Sequence, residues 1–409
     1  MRRVVLCATL AAALGSMRVG AQSLVLTEAE ALARLSPNNA RVRAIRAPIA
    51  VARVDVLTAS RWPNPRVTVD REAVAGVTEY LTMAAQPLPV TGRRAFETQA
   101  ASALVAATSS RLDDEERRLR TSLRFAFAQL VAVQRREREL AAARDRLREL
   151  AGVLAKREAA GDAAGFDRLR AEREVLDADA DVAVAAAERG RAQATLTGFF
   201  ADVPDPSQLV AQETSPSGPT AVPTLEALME RAETARGELR AFRHESEAAA
   251  ASGRAAERRN IPEPEVVAGT KSSTVGTGSI GSVFMVHASI PLFDRSRPER
   301  ALAAARAAQA SANADATRLA LRGQIAGLRS SVLARRSVAD RYREEAATAS
   351  AQIERIAQIS YDAGERSILE LLDAYRIAST ARTRQIVLDT AVREAEIELE
   401  FVSGWESGT

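Results

Sequence analysis

The chain has 409 residues, with 56 Lys and Arg against 53 Asp and Glu, a formal charge of +3, and only 4% aromatic residues. Two His and one Cys exclude a Cys/His zinc site and a disulfide scaffold. The near-cancelled charge excludes the electrostatic footprint of a nucleic-acid binder. An alanine-rich, aromatic-poor chain of this kind predicts long helices packed on one another, a mainly α fold with a small β part.

Residues 1–21 read as a secretory signal. Arg2 and Arg3 form a basic start, Val4 to Leu14 is an apolar run too short to span a membrane comfortably, and Val19-Gly20-Ala21 offers small residues before Gln22. Cys7 lies inside that run, too early to be a lipidated cysteine, so an exported but unlipidated chain is expected.

The remainder of the chain reads as a near duplication. Glu30-Ala31-Leu32 recurs 196 residues on as Glu226-Ala227-Leu228, and Arg43-Ala44-Ile45-Arg46 recurs 197 on as Arg240-Ala241-Phe242-Arg243. Pro63-Asn64-Pro65, Pro87-Leu88 and Ala160-Gly161 recur at shifts of 199, 204 and 203. Five matches in order with slowly drifting shifts predict an internal repeat, 22–203 and 224–409, joined by a proline-rich linker at 204–223.

Each half opens with a predicted helix of about thirty residues, 27–60 and 224–259, the first with Thr27 and Glu30 in capping-box spacing. Two short strands follow, roughly 65–73 and 79–88, then 264–272 and 281–292, giving β-hairpins 65–88 and 264–292. From Ser272 to Phe293 there is no Asp, Glu, Lys or Arg, which suits a hairpin facing lipid. Long helical hairpins, 93–200 and 298–402, come last. Leu112, Leu119, Ala126, Val133, Leu140, Leu147 and Leu154 fall seven apart, as do Ile325, Val332, Ala339, Ala346 and Ile353, which predicts antiparallel coiled-coil rods. Residues 93–160 as one helix would run for about 100 Å, longer than a compact domain allows. Four strands are too few to close a membrane barrel, and an open sheet in lipid leaves its edges unpaired, so several copies must join in a ring.

With these features the chain resembles the outer-membrane efflux proteins of the TolC type, over about 24–405. The most specific stretch is Ser360-Tyr361-Asp362-Ala363-Gly364-Glu365-Arg366-Ser367-Ile368-Leu369-Glu370-Leu371-Leu372-Asp373-Ala374, similar to the periplasmic tip of that family's second repeat. Ala160-Gly161-Asp162-Ala163-Ala164-Gly165-Phe166-Asp167 is a looser counterpart in the first half. The family usually has larger apolar residues around the tip glycines, where this chain has Ala160, Asp162, Ala363 and Glu365. The resemblance implies a homotrimer in the outer membrane, in which three sets of four strands make a twelve-stranded transmembrane barrel continued by an α-helical periplasmic tunnel. It implies the exit duct of a tripartite exporter, with a periplasmic adaptor, an inner-membrane pump and outer-membrane lipid as partners.

By residue matching, the resemblance also gives Tyr361, Arg366, Asp373 and Asp167 a part in holding the tip closed, with Glu370 as a carboxylate in place of Asp. On a helix starting near Ser367, Glu370 and Asp373 share a face, and Arg366 is expected to reach Asp167 of the neighbouring helical hairpin. The competing reading makes these solvated helix-end charges. Ala160, Gly161, Ala363, Gly364 and Ser367 form the tip where an adaptor would dock, the glycines supplying the positive φ of a tight reversal. His244 and His287 have no partner at metal spacing. No nucleophile elbow, P-loop or HExxH occurs, so neither enzyme activity nor a cofactor or metal is expected. The alternative function is a soluble periplasmic coiled-coil adaptor. The cargo is not written in the sequence.

Overall fold

The computed structural model describes residues 23–161, 165–201, 203, 205–213 and 221–406. The expected signal at 1–21, the tip positions 162–164 and most of the linker prolines lie outside the described residues.

The chain enters through a short strand β1 (Leu24–Leu26) and three helices, α1 (Glu28–Ala33), α2 (Ala40–Arg46) and α3 (Pro48–Ser60). The expected single helix over 27–60 is therefore broken twice. Asn39 caps α2 just after Pro37, and Pro48 at the first position of α3 removes a backbone donor where a continuous helix would need one. The capping box at α1 is present: the Glu30 carboxylate accepts from Thr27 N at 2.8 Å, and Thr27 Oγ1 accepts from Glu30 N.

Strands β2 (Arg66–Val74) and β3 (Val77–Pro87) lead to α4 (Arg93–Ala159), 67 residues without a proline, which returns as α5 (Gly165–Thr197). Strand β4 (Leu209–Ala211) then pairs in parallel with β1. Three-residue strands carry no alternation, so this small sheet left no mark in the sequence pattern. Side-chain amides hold it on the rods: Gln134 Oε1 accepts from Ala211 N at 3.0 Å and Gln193 donates to the Leu209 carbonyl at 2.7 Å.

The second half gives α6 (Leu225–Ala235), α7 (Gly237–Arg258), β5 (Pro264–Ser273), β6 (Ser279–Ala288), α8 (Arg297–Arg341), α9 (Thr348–Asp362) and α10 (Ile368–Ser403). The expected helix 224–259 is split at Arg236, whose backbone is extended. The break is set by a close approach. Gly237 sits against α4 so tightly that a Cβ would fall 1.9 Å from the Ser110 carbonyl oxygen, and Asp114 accepts from Gly237 N and Glu238 N, both at 2.9 Å. Strand β6 stops at Ala288, short of the expected 292. Pro291 beyond it cannot donate to a ladder.

The heptad seam of α4 is buried or half-buried along its length, with Leu123, Phe127, Leu130 and Leu154 enclosed. The second seam holds through Ile325, Val332 and Ala339 and then fails: Ile353 is 45% exposed, while Ser350 and Ala357 are buried. A π-helical segment, Tyr342–Ala347, lies between them. Its extra residue rotates everything after it by about 100° relative to an uninterrupted α-helix, which turns Ile353 off the seam.

The elements form two levels around a middle. Above, α3, α4, α7 and α8 lie in that lateral order; below, the order is α5, α4, α10 and α9. Cores sit at the middle of the first half (Leu123, Leu130, Leu196, Leu209), at the middle of the second (Leu228, Ile325, Leu399, Trp405), and at the lower end (Leu154, Ala171, Tyr361, Leu371). The four long strands form one sheet at the upper end, ordered β2-β3-β5-β6, all neighbours antiparallel.

Candidate functional site

Two regions carry the features a functional reading needs: the sheet at one end and the helix reversals at the other.

Register divides the sheet cleanly. Val67, Ala84, Ala268 and Phe284 lie directly opposite one another across the four strands, and so do Val69, Thr82, Thr270 and Ser282 two residues on. With Val266, Ile280 and Val286 they form one apolar face whose large side chains are exposed, Phe284 by 72%. Its only charge is Arg71, whose guanidinium lies 6.0 Å from the Tyr80 ring centre near the hairpin turn. The opposite face carries Arg66, Asp70, Glu72, Glu79, Glu265 and Lys271. Lys271 Nζ meets Glu79 at 2.6 Å and Arg66 meets Glu265 at 2.7 Å, so cross-strand ion pairs tie the two hairpins together. An alternation of apolar and polar faces over ten-residue strands is the pattern of a barrel wall between lipid and water. Both edge strands, β2 and β6, are unpaired outward among the described residues.

At the other end, α9 reverses into α10 through a Schellman turn. Gly364 N donates to the Tyr361 carbonyl at 3.0 Å and Glu365 N to the Ser360 carbonyl at 2.9 Å, with Gly364 at φ +77°. Gly161, at φ +83° and next to Ala160, follows the end of α4, its N–H donating to the Glu158 carbonyl at 2.9 Å. Among the described residues no atom would touch a Cβ at either glycine, and the left-handed backbone conformation selects the residue. Ala160, Gly161, Ala363, Gly364 and Ser367 are all exposed at this tip.

Ser367 and Glu370 form a capping box at the start of α10: the Glu370 carboxylate accepts from Ser367 N at 3.0 Å. Its other oxygen accepts from Arg366 at 2.9 Å. The Ser367 N–H and, after it, the Arg366 guanidinium hold the Glu370 pKa below its usual value. Within the chain Arg366, which precedes the N-cap, is thus engaged with the first turn of α10 and not with Asp167 as expected, because Glu370 is held beside it by the capping box while Asp167 lies on another hairpin. Arg168, next to Asp167, pairs with Glu158 across the first reversal and with Glu172 at 2.8 Å. Tyr361 is only 9% exposed, packed among Leu154, Ile368 and Leu371 with Arg157 5.7 Å from its ring centre. Asp373 is exposed on α10. The tip therefore brings Arg366, Ser367 and Glu370 together, keeps Tyr361 in its core, and leaves Asp167 and Asp373 apart.

Above the tip a groove of about 430 Å³ runs between α4, α5 and α10, crossed by the Arg376–Glu174 ion pair at 2.9 Å and lined by Leu140, Asp177 and Tyr375. Exposed apolar stripes run along Phe166, Leu169 and Leu176 on α5 and Ile353, Ile356 and Ile359 on α9; the sequence placed Ile353 in the buried seam and did not mark either stripe as exposed. Their spacing of three and seven was legible, but not which helix face a single chain leaves uncovered. Among the described residues no helix is long and apolar enough to cross a membrane, and no His, Cys, Asp and Glu side chains gather as a metal site would need.

Residues 228–404 match the family model of the outer membrane efflux proteins. The fold is that of solved outer membrane channels. A membrane protein from Pseudomonas aeruginosa superimposes with a TM-score of 0.72 at 20% identity, covering 92% of this chain and 93% of that one. The outer membrane protein VceC from Vibrio cholerae gives 0.71 at 16% identity, covering 93% and 97%. The open-state MtrE outer membrane channel of Neisseria gonorrhoeae gives 0.69 at 16%, covering 92% and 88%. No curated protein matches in sequence. The chain resembles the TolC-type outer-membrane efflux proteins, as its tip motif implied, and its mainly helical fold with a small sheet is theirs.

Proposed function

We propose that the chain is the outer-membrane exit duct of a tripartite exporter, a passive channel made by three copies. The observation that carries this reading is where the uncovered apolar surface lies. Every level of the molecule has two lateral edges: β2 and β6 in the sheet, α3 and α8 above, α5 and α9 below. All three edge pairs expose large apolar side chains, for example Val51 and Leu57 on α3, Leu319 on α8, Phe166 on α5 and Ile356 on α9. A chain that leaves both flanks apolar from end to end is built to have a copy of itself on each side, and a closed ring satisfies both flanks at once. Three copies supply twelve strands, above the eight a membrane barrel needs.

The dimensions suit a bilayer. From Ser279 to Ala288 strand β6 advances about 30 Å at the usual strand rise, or about 23 Å of height at the usual barrel tilt. The charged sheet face then lines water. The helical levels continue the ring as a tunnel into the periplasm, ending at the reversals near Gly161 and Gly364.

In this reading the tip is the gate and the docking end. Glu370, Arg366, Asp373 and Asp167 narrow the pore, Tyr361 fixes the reversal from within, and Ala160, Gly161, Ala363, Gly364 and Ser367 present the backbone to an adaptor. An inner-membrane pump supplies the energy. The two repeats, 22–203 and 224–409, and export by cleavage of 1–21 without lipidation belong to the same proposal. Cell fractionation with chemical cross-linking tests it. The protein should pellet with outer membranes, need detergent for release and cross-link to a trimer. A soluble periplasmic monomer would favour the adaptor instead.

A further inference from the structure

We infer that Arg384 gives the helical tunnel a ring of guanidinium groups, one from each copy, that binds multivalent anions above the acidic tip. The inference rests on the duct reading above and adds an anion site to it.

An exposed stripe runs up α10 at helical spacing: Glu370, Asp373, Ile377, Thr380, Arg384 and Val387. Beside it Leu371, Ala374, Ala378, Ala381 and Gln385 are buried. The stripe is not a flank on which a neighbouring copy would sit, because α10 lies between α4 and α9. Nor does it face the crevice behind the helix. Tyr375 and Arg382 line a cavity of about 380 Å³ together with Arg146 of α4 and Gln358 of α9. Asp373, Ile377, Thr380 and Arg384 each stand two residues from one of these, about 200° round the helix. The stripe therefore points away from the rest of the chain. Its lower end is the pair Glu370 and Asp373, which the duct reading turns to the pore, so the residues above them line the same bore.

The charge on this stripe changes sign with height. Glu370 and Asp373 make the tip acidic, Ile377 and Thr380 are uncharged, and Arg384 follows about 17 Å above Asp373. The other charged side chains of α10 near Arg384 are engaged: Arg376 with Glu174 at 2.9 Å, Arg382 with Glu354, and Asp389 with Arg343 at 2.7 Å. Arg384 has no partner among the described residues. Arg135 of α4 also meets Asp389, so Glu139 and Glu344 lie near the level of Arg384 on the neighbouring helices. Glu139 is three residues from Arg136 and four from Ala143, which line the groove beside α5, and so shares their side of α4. Glu344 is exposed on the π-helical segment, while Glu345 is held by Arg341 at 3.2 Å. A guanidinium is always charged and presents several donors in a fixed fork, so three of them round one bore attract phosphate-type anions of more than one charge.

Block of single channels by inorganic tripolyphosphate tests this. With the assembled protein in a planar bilayer, tripolyphosphate added on both sides should reduce the potassium current. Arg384→Gln should raise the half-blocking concentration by about tenfold, and Arg384→Lys, which keeps the charge, should retain most of the block. Arg355→Gln, in the cavity behind α10, should leave the block unchanged. Equal block in the wild type and Arg384→Gln would overturn the ring, and so would equal losses in Arg384→Gln and Arg355→Gln. Block that appears only in Glu344→Gln would also overturn it, because that carboxylate would then already fill the ring. Discrete conductance steps with no tripolyphosphate block remove the ring and leave the duct. If the wild-type protein gives no steps at all, the duct reading falls and the ring with it.

Discussion

Arg366, just before the N-cap of α10, meets Glu370 of the first turn at 2.9 Å, and the same carboxylate accepts the backbone N–H of Ser367. One side chain therefore fixes both the start of the helix and the orientation of the guanidinium that precedes it. Glu370→Ala removes both, whereas Arg366→Ala removes only an exposed i,i+4 pair, and such pairs are weak. Single-channel conductance in planar bilayers should rise more for Glu370→Ala than for Arg366→Ala, and Asp373→Ala should also raise it. Unchanged conductance in all three would remove the gate assignment.

The same carboxylate gives the tip a pH dependence. The folded-state pKa of Glu370 is lowered, first by the Ser367 N–H and then by Arg366. A lowered pKa means stabilisation that is fully present above the ordinary glutamate value of about 4.3 and is lost as pH falls through the folded one. Conductance should therefore rise on acidification below that ordinary value, and Glu370→Gln should remove this step. A pH profile identical in the variant would refute the link.

A buried ionic network ties the N-terminal segment to the rods. Arg124 meets both Glu28 and Glu400, and Arg393 reaches Glu28 at 2.7 Å. Burial by itself would raise the Glu28 pKa, but Arg393 and Arg124 outweigh it and hold it low. Arg124→Met removes one partner from each of two carboxylates, of which Glu400 has only 6% of its side chain exposed, and leaves Arg393 beside both. The expected loss is about 1–3 kcal/mol by denaturant unfolding, with recovery when Glu400→Leu is added. No loss would mean that the network contributes nothing.

Two glycines should answer differently to alanine. At Gly364 the space for a Cβ is open and only the left-handed backbone resists, so Gly364→Ala should cost about 1–2 kcal/mol. At Gly237 the new carbon would meet the backbone of α4, and the helices must part. Gly237→Ala should cost more, up to about 3 kcal/mol, and should loosen α7 from α4 in hydrogen exchange. The reverse ranking would contradict the packing described.

Much of this architecture was legible because its signals are long-ranged. Sixty-seven residues without proline, a leucine every seventh place and twenty-two without charge each point to one structure. The losses occurred where a local contact overrides a periodic pattern. Arg236 breaks a helix because Gly237 must approach Ser110, which no spacing announces. The π segment after Arg341 turned Ile353 outward, since a repeat counted in residues does not register one extra residue in a turn. At the tip, residue types were readable but pairings were not. Within the chain Arg366 pairs with Glu370, which the capping box holds beside it, and not with Asp167.

The central claim is that copies of this chain assemble into a conduit, and conductance with defined stoichiometry tests it most directly. The detergent-purified mature protein should run as a trimer and, added to a planar bilayer, give discrete conductance steps. A protein that stays monomeric in water and leaves the bilayer sealed would contradict it.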